Sequence, residues 1–335
     1  MPPSPAERQN NAQAAHSRTL RSAADLIAAG LLPEAARAAA EAVATRYAIA
    51  VTPAMAARIG APDDPIGLQY LPDAAELITA PHEIEDPTAD APFTPVKGVV
   101  HRYPDRALLK PLLACPVYCR FCFRREVVGP DGGLLTEAEL ETALDWFAAT
   151  PQVREVVLTG GDPLMLSPRR LGWLVERLSA IPHLEIIRVH TRVPVADPGR
   201  VTEAMAEVLS TRTAFYLCLH ANHADEFTQE ATEALARLTR AGVMLLGQSV
   251  LLRGVNDSVE ALEALFRTML RHRVKPYYLH QLDPARGTAR FLVPPEEGLA
   301  LTRALRGRLS GLGQPLYVRE TPGGGGKVPM DRDLG

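Results

Sequence analysis

Residues 112–129 read LLACPVYCRFCFRREVVG and hold three of the chain's four cysteines, Cys115, Cys119 and Cys122, in the spacing C-x3-C-x2-C. Leu112 and Leu113 close the β-rich run RALLKPLL (106–113), so the thiols fall in a loop directly after a strand. A structural zinc site normally takes four protein ligands, commonly as two separated pairs. Here the fourth cysteine, Cys218, lies inside the apolar run AFYLCL and reads as a small core residue. A cubane iron–sulfur cluster has four irons, each needing a ligand beyond the sulfides, so three cysteines leave one iron open to a small molecule. Zinc completed by a histidine, or three unrelated buried thiols, stay compatible with the spacing alone. The tight loop after a strand favours the cluster.

Outward from this loop the chain alternates between strand and helix patterns. After RALLKPLL come REVVLT (154–159), EIIRVH (185–190), AFYLCL (214–219), VMLLGQSV (243–250) and PYYLHQL (276–282), with amphipathic helical segments such as SPRRLGWLVERLSA between most of them. Six strand-then-helix units predict an α/β fold with a parallel sheet, because each crossover needs a helix to return the chain. The count suits a partial or closed (β/α)6 barrel better than an open doubly wound sheet. Three regions follow: a helical cap and extended Pro/Asp-rich connection over 1–98, the (β/α)6 core over 99–294, and a helix, a strand (PLYVRE, 315–320) and PGGGGK within 295–335. Residues 1 to about 18 read as loose.

Polar residues recur just after these strands: Gly160-Gly161-Asp162, His190-Thr191-Arg192, His220, Asn222, Arg253, Asn256 and Asp283. In barrels of this type the C-terminal strand ends form the active-site face, so the expectation is an enzyme. The 36 basic and 39 acidic side chains give a net charge of -3, which argues against nucleic acid or an anionic membrane as partner. No apolar run approaches the roughly 18 to 20 residues of a membrane span, and the polar N-terminus lacks a signal peptide's apolar stretch. Four cysteines in 335 residues do not resemble a secreted disulfide scaffold, and a cytoplasmic protein is expected.

The cysteine spacing, with Phe121 directly before Cys122, resembles the radical S-adenosylmethionine (SAM) superfamily. TGGDP (159–163) strengthens the likeness. In that superfamily a Gly-Gly-acid segment receives the amino group of the methionine moiety, which implies close backbone approach at Gly160 and Gly161 and an acceptor at Asp162. His190 and Arg192 are further candidates for SAM, although a structural role at the strand end suits them equally.

The segments HRYPDR (101–106), CRFCFRR (119–125), LTGGDPL (158–164), QSVLLRGVND (248–257), KPYYLHQLD (275–283) and PGGGGK (322–327) stand in one order. Together they resemble the lysine 2,3-aminomutase family from about residue 90 to 330. The resemblance implies a radical SAM barrel that uses a [4Fe-4S] cluster on Cys115, Cys119 and Cys122, SAM, and pyridoxal 5′-phosphate (PLP). Taken alone, PGGGGK reads as a flexible tail; the resemblance instead makes Lys327 the lysine that forms the Schiff base with PLP. It also implies that Arg102, Tyr103, Arg106 and Gln248 lie at PLP, and that Arg124 pairs with the substrate α-carboxylate. Asp283 and Glu320 match the two acids that receive the distal ammonium of lysine, although lysine-specific members carry aspartate where Glu320 stands. Two acids favour a cationic substrate over glutamate, because like charges repel.

The implied activity is an isomerase that moves the α-amino group of L-lysine from C2 to C3, fed by an electron donor such as flavodoxin or ferredoxin. Larger members carry a C-terminal extension with zinc-binding cysteines that ties subunits together. This chain has Ser258 where one of those cysteines is expected, so no zinc site is expected and the oligomeric state stays open. The short form is also similar to the branch that makes β-lysine for elongation factor P, and to compact relatives acting on another amino acid.

Overall fold

The structure is a computed structural model that describes residues 18–321 and 326–330. Within it, nine strands form one sheet in sequential order: β1 (Val99–Tyr103), β2 (Arg106–Leu112), β3 (Glu155–Gly160), β4 (Ile186–Thr191), β5 (Ala214–His220), β6 (Met244–Val250), β7 (Lys275–His280), β8 (Leu316–Thr321) and β9 (Gly326–Pro329). Neighbours from β2 through β8 are parallel, whereas β1 and β9 are antiparallel edges. The six expected strand–helix units are present. The sheet also gains a strand at each flank, and PLYVRE joins the barrel as β8 rather than standing apart from it.

The helices form where local chemistry directs them. The N-terminal cap carries α1 (Ala23–Ala28), α2 (Arg37–Ala44) and two single-turn helices, Pro53–Ala56 and Gly67–Tyr70. The crossovers carry α3 (Glu137–Ala148), α4 (Pro168–Ser179), α5 (Glu203–Val208), α6 (Gln229–Arg240), α7 (Val259–Arg271) and α8 (Pro295–Leu305). Thr136 and Glu139 start α3 with a reciprocal capping box. Ser258, the position where a zinc cysteine would stand, instead caps α7 by accepting from the Ala261 N–H at 3.2 Å. In α4 the buried Leu171, Leu174, Val175 and Leu178 fall on one face, the stripe that packs a helix onto a sheet.

The cap builds a core of its own from Leu20, Leu26, Met55 and Tyr70, and this core includes Val117 of the cysteine loop and Ala196 after β4. It therefore rests on the C-terminal strand ends. Further along the N-terminal segment, Ile84 pairs with Ala285 after β7, and Glu83 accepts from the N–H groups of Gly287, Thr288 and Ala289 at 3.0, 2.8 and 2.6 Å. The stretch read as an extended connection is thus a strap tied across the barrel mouth. The sheet curls enough to bring its edges together: the Tyr103 hydroxyl on β1 donates to Glu320 on β8 at 3.0 Å.

Candidate active site

One cavity of about 590 Å³ runs through the barrel, and Cys115, Cys119, Cys122, Arg124, Asp283 and Lys327 all line it. At the cysteine end the loop is tight, with the Cys122 N–H donating to the Cys119 carbonyl at 3.1 Å. Its flanking arginines pin it to the strap. The buried Glu76 carboxylate accepts from Arg120 Nη2 at 2.7 Å and pairs with Arg125, with Arg290 at 3.7 Å. Burial alone pushes the Glu76 carboxyl up, but these guanidinium groups outweigh it and hold the carboxyl below the ordinary range.

The three thiols are held protonated. Burial, then Asp162 and the neighbouring thiols, raises Cys115; burial pushes Cys119 up to about 11 and also raises Cys122. Loading a metal centre would therefore release protons. Among the described residues no group of three or more ligating side chains has the arrangement of a single-ion site; a cubane spreads its thiolates over separate irons. The donor set fits such a cluster: three thiols around one cavity, with Arg192 Nη1 donating to Cys119 Sγ at 3.4 Å.

At the end of β3, Gly160 has φ +111°, and a Cβ there would stand 2.6 Å from the Leu112 carbonyl oxygen. A Cβ on Gly161 would stand 2.6 Å from the Ala114 nitrogen. Both glycines let β3 pack closely against the end of β2 and the two residues after it. Asp162 accepts from the protein's own donors. Its Oδ1 accepts from Leu164 N–H and Thr191 Oγ1 (3.1 and 2.7 Å), and its Oδ2 from the N–H groups of Arg192 and Val193 (2.7 and 3.2 Å). It locks the end of β3 to the end of β4. Arg192 is likewise tied, to Gln69 at 2.6 Å and Glu226 at 2.5 Å.

The histidines behave otherwise. His190 and His220 line the cavity, and the Nε2 atom of each is buried without a partner. Burial, then Arg188 and Lys327, pushes His190 well below its ordinary value; burial and Arg192 do the same to His220. Neutral ring nitrogens buried without a partner in residues that line a cavity suit a polar ligand there. The other strand-end residues are structural. Asn222 and Asn256 are fully buried and bond to backbone and to Gln69. Arg253 pairs with Asp257 and Glu297 at 3.0 and 2.6 Å.

At the far end, β8 pairs antiparallel with β9, and residues 322–325 of PGGGGK lie outside the described residues. Glu320 and Lys327 are direct cross-strand partners, and Lys327 Nζ donates to Glu320 Oε2 at 2.8 Å. Arg102 and the Tyr103 hydroxyl reach Glu320 Oε1 from β1. Arg106 lies 3.6 Å over the Tyr103 ring, and Gln248 on β6 lines the same cavity. This cluster of cations with a lysine amine fits a phosphate-bearing aldehyde such as PLP.

Between the two ends, the Nη2 of Arg124 meets Asp90 and its Nη1 meets Thr159 at 3.4 and 3.5 Å, while its Nε is buried without a partner. A guanidinium so loosely held keeps donors for a carboxylate. Asp90 sits on the strap beside Ala89, whose φ of +51° is in the left-handed region. The carbonyl of Thr88 in the same turn accepts from Arg102, so one turn touches both arginines. Asp283 faces the same space. Burial, then Glu320, raises its carboxyl to about 6 against the pull of Lys327, Arg124 and Arg102.

Residues 109–266 match the radical SAM superfamily. L-lysine 2,3-aminomutase of Clostridium subterminale is 41% identical over 269 residues, covering 80% of this chain and 65% of that protein. L-lysine 2,3-aminomutase of Escherichia coli K12 is 40% identical over 276 residues, covering 82% of this chain and 80% of that protein. The chain belongs to the lysine 2,3-aminomutase family. Glutamate 2,3-aminomutase of Clostridioides difficile strain 630 is 34% identical over 290 residues, covering 86% of this chain and 68% of that protein. The cofactors that go with the lysine 2,3-aminomutase family are a [4Fe-4S] cluster, SAM and PLP, and the donor groups at the two ends of the cavity fit them.

Sequence reasoning missed Asp90, Thr88 and Glu76, all on the strap, and Arg188 and Tyr278, which line the barrel interior. Tyr278 lies in the quoted KPYYLHQLD segment and Arg188 in EIIRVH. Strand alternation is the signal that could have flagged them, because it turns every second side chain inward.

Proposed function

We propose that this chain is a radical SAM, PLP-dependent aminomutase that moves the α-amino group of a cationic amino acid, L-lysine first, from C2 to C3. The observation that carries the reading is that a single cavity holds the three cysteines, Lys327, Arg124 and Asp283. When bound, the cluster with SAM supplies a hydrogen-abstracting radical, and PLP supplies an aldehyde that carries an amine between neighbouring carbons.

The residues of the chain then have physical tasks. Cys115, Cys119 and Cys122 would hold the cluster after giving up their protons. The Lys327 amine would hold the cofactor aldehyde and exchange with the substrate amine. Arg102, Tyr103 and Arg106 would offer positive charge and an O–H donor to the phosphate. Arg124 would take the α-carboxylate through its free donors, and Asp283 the distal ammonium. Held at both ends, the substrate presents one carbon to the radical source, and such orientation is the chief contribution a protein makes.

A glutamate substrate, as in the name of the Clostridioides difficile relative, is disfavoured because its side-chain carboxylate would meet the acids Asp283 and Glu320. The test is a product screen with anaerobically reconstituted protein, SAM and reductant against lysine, ornithine, arginine and glutamate. A β-amino acid from lysine supports the proposal; none from any cationic amino acid overturns it.

A further inference from the structure

Within β2 one lysine, Lys110, stands among Leu108, Leu109, Pro111 and Leu112, and a lysine is seldom buried unless it is paired. Alternation gives it the inward face of Arg106 and Leu108, which line the cavity. Its N–H donates to the Gly98 carbonyl at 2.7 Å. Gly160 makes room for it, since a Cβ there would stand 2.9 Å from the Lys110 Cβ. The Lys110 side chain is 19% exposed, and its Nζ donates to Asp90 Oδ2 at 3.4 Å. Arg124 Nη2 meets that same oxygen at 3.4 Å, while the Thr88 hydroxyl donates to Asp90 Oδ1 at 3.1 Å. Burial pushes the Asp90 carboxyl up, but Arg124 and Lys110 outweigh it and hold the carboxyl below the ordinary range. One carboxylate is thus shared by two cations. Asp86, which also attracts Lys110, is exposed, where water and salt screen it.

We propose that Lys110 is a positioning residue for substrate selection: by offsetting the charge of Asp90 it leaves Arg124 with a net positive charge, and so restricts the substrate to amino acids whose α-carboxylate is free. The inference rests on the reading of Arg124 as the partner of that carboxylate. Asp90 and Arg124 are among the residues lining the cavity and Lys110 is not, so Lys110 acts through Asp90 rather than by touching the substrate. Arg124 and Asp90 alone would make a neutral pair, and an entering carboxylate would meet Asp90 as a like charge. With Lys110 the three groups carry one net positive charge, which the substrate carboxylate cancels. Partial burial keeps that charge from being screened as it would be on the surface. An amide or peptide bond in place of the carboxylate gains nothing from it.

The experiment measures how tightly the reconstituted holoenzyme binds lysine and lysinamide, which carries an uncharged amide in place of the carboxylate. Calorimetry without reductant gives both affinities with no turnover, and their ratio isolates the carboxylate. The wild-type chain should prefer lysine. Lys110→Met, similar in length but uncharged, should cut the lysine-to-lysinamide ratio about tenfold, and Lys110→Arg should keep it within about threefold of wild type. Adding Asp90→Asn to Lys110→Met should raise the ratio again, because the anion left without its offset is gone; independent effects would lower it further. The inference is overturned if Lys110→Met leaves the ratio within about twofold of wild type, or if the double variant falls below Lys110→Met. Should Lys110→Met not fold, an unchanged ratio in Lys110→Gln overturns it equally. An Arg124→Met chain that keeps the full wild-type preference for lysine would instead remove the reading of Arg124 itself, a result distinct from failure at Lys110.

Discussion

The two ends of the cavity are built on opposite principles. At the cysteine end the functional groups sit in a frame of buried charges: Glu76 among Arg120, Arg125 and Arg290, and Asp162 among the donors at the ends of β3 and β4. At the lysine end the groups sit on the short β8–β9 ladder and its β1 neighbour, where a buried Arg102–Glu320 pair lies beside Lys327, whose side chain is 31% exposed. A multi-atom inorganic centre needs its ligands fixed in advance, whereas a lysine that exchanges partners needs room to move. Damage at the first end should appear as lost folding, and damage at the second as lost chemistry with the fold intact.

Lys327→Ala gives the largest effect that would break this contrast. It should cut β-amino acid formation by on the order of a thousandfold or more while leaving the denaturation midpoint unchanged; a large fall in the midpoint would show that this lysine is structural. Next comes Glu76→Gln, which leaves buried guanidinium groups without their carboxylate and should cost about 3–5 kcal/mol of stability, measured by denaturant titration. The carboxyl of Glu76 is depressed in the folded state. Its contribution is therefore present above the unfolded value of about 4.3 and fades as pH falls through the lower folded value. The wild-type chain should lose stability in that acid window, and Glu76→Gln should lose less there.

Asp283 gives a functional pH dependence of the opposite kind. Its carboxyl is raised to about 6, and only the anion attracts an ammonium. The KM for lysine should climb as pH falls through about 6, approaching tenfold per unit below it, with no such rise for norleucine. A lysine KM flat from pH 7.5 to 5 would remove Asp283 from substrate recognition. The smallest effect is at Asp90, whose contact with Arg124 is long at 3.4 Å. Asp90→Asn should weaken lysine binding roughly fivefold, about 1 kcal/mol, and leave cadaverine, which lacks the carboxylate, unaffected. Equal effects on both ligands would mean that Asp90 supports only the fold.

What was legible in the sequence follows the range of the interactions. RALLKPLL and the later apolar runs announce β2 and its parallel neighbours because the strand signal is local, and C-x3-C-x2-C announces the loop for the same reason. The edge strands β1 and β9 escaped because VVHRY and GKVP are short and partly polar, as edge strands tend to be. Glu76, Glu83 and Asp90 lay in a Pro/Asp-rich stretch that reads as a connection. Their partners are far along the chain: Arg120 is 44 residues from Glu76, and the Gly287 N–H is 204 residues from Glu83. No spacing rule reaches so far. Glu320 was placed in the site by its motif, but its pairing with Arg102 depends on how the sheet curls, which no local pattern encodes.

The central claim, that one cavity joins a SAM-derived radical source to a lysine-held cofactor for migration of an amine, is tested most directly with L-lysine carrying 15N at the α-amino group. Reconstituted protein with PLP, SAM and reductant should yield β-lysine with the label retained at C3, alongside recycling rather than net consumption of SAM. Irreversible formation of 5′-deoxyadenosine without any β-amino acid, from lysine or any other cationic substrate, would contradict the account.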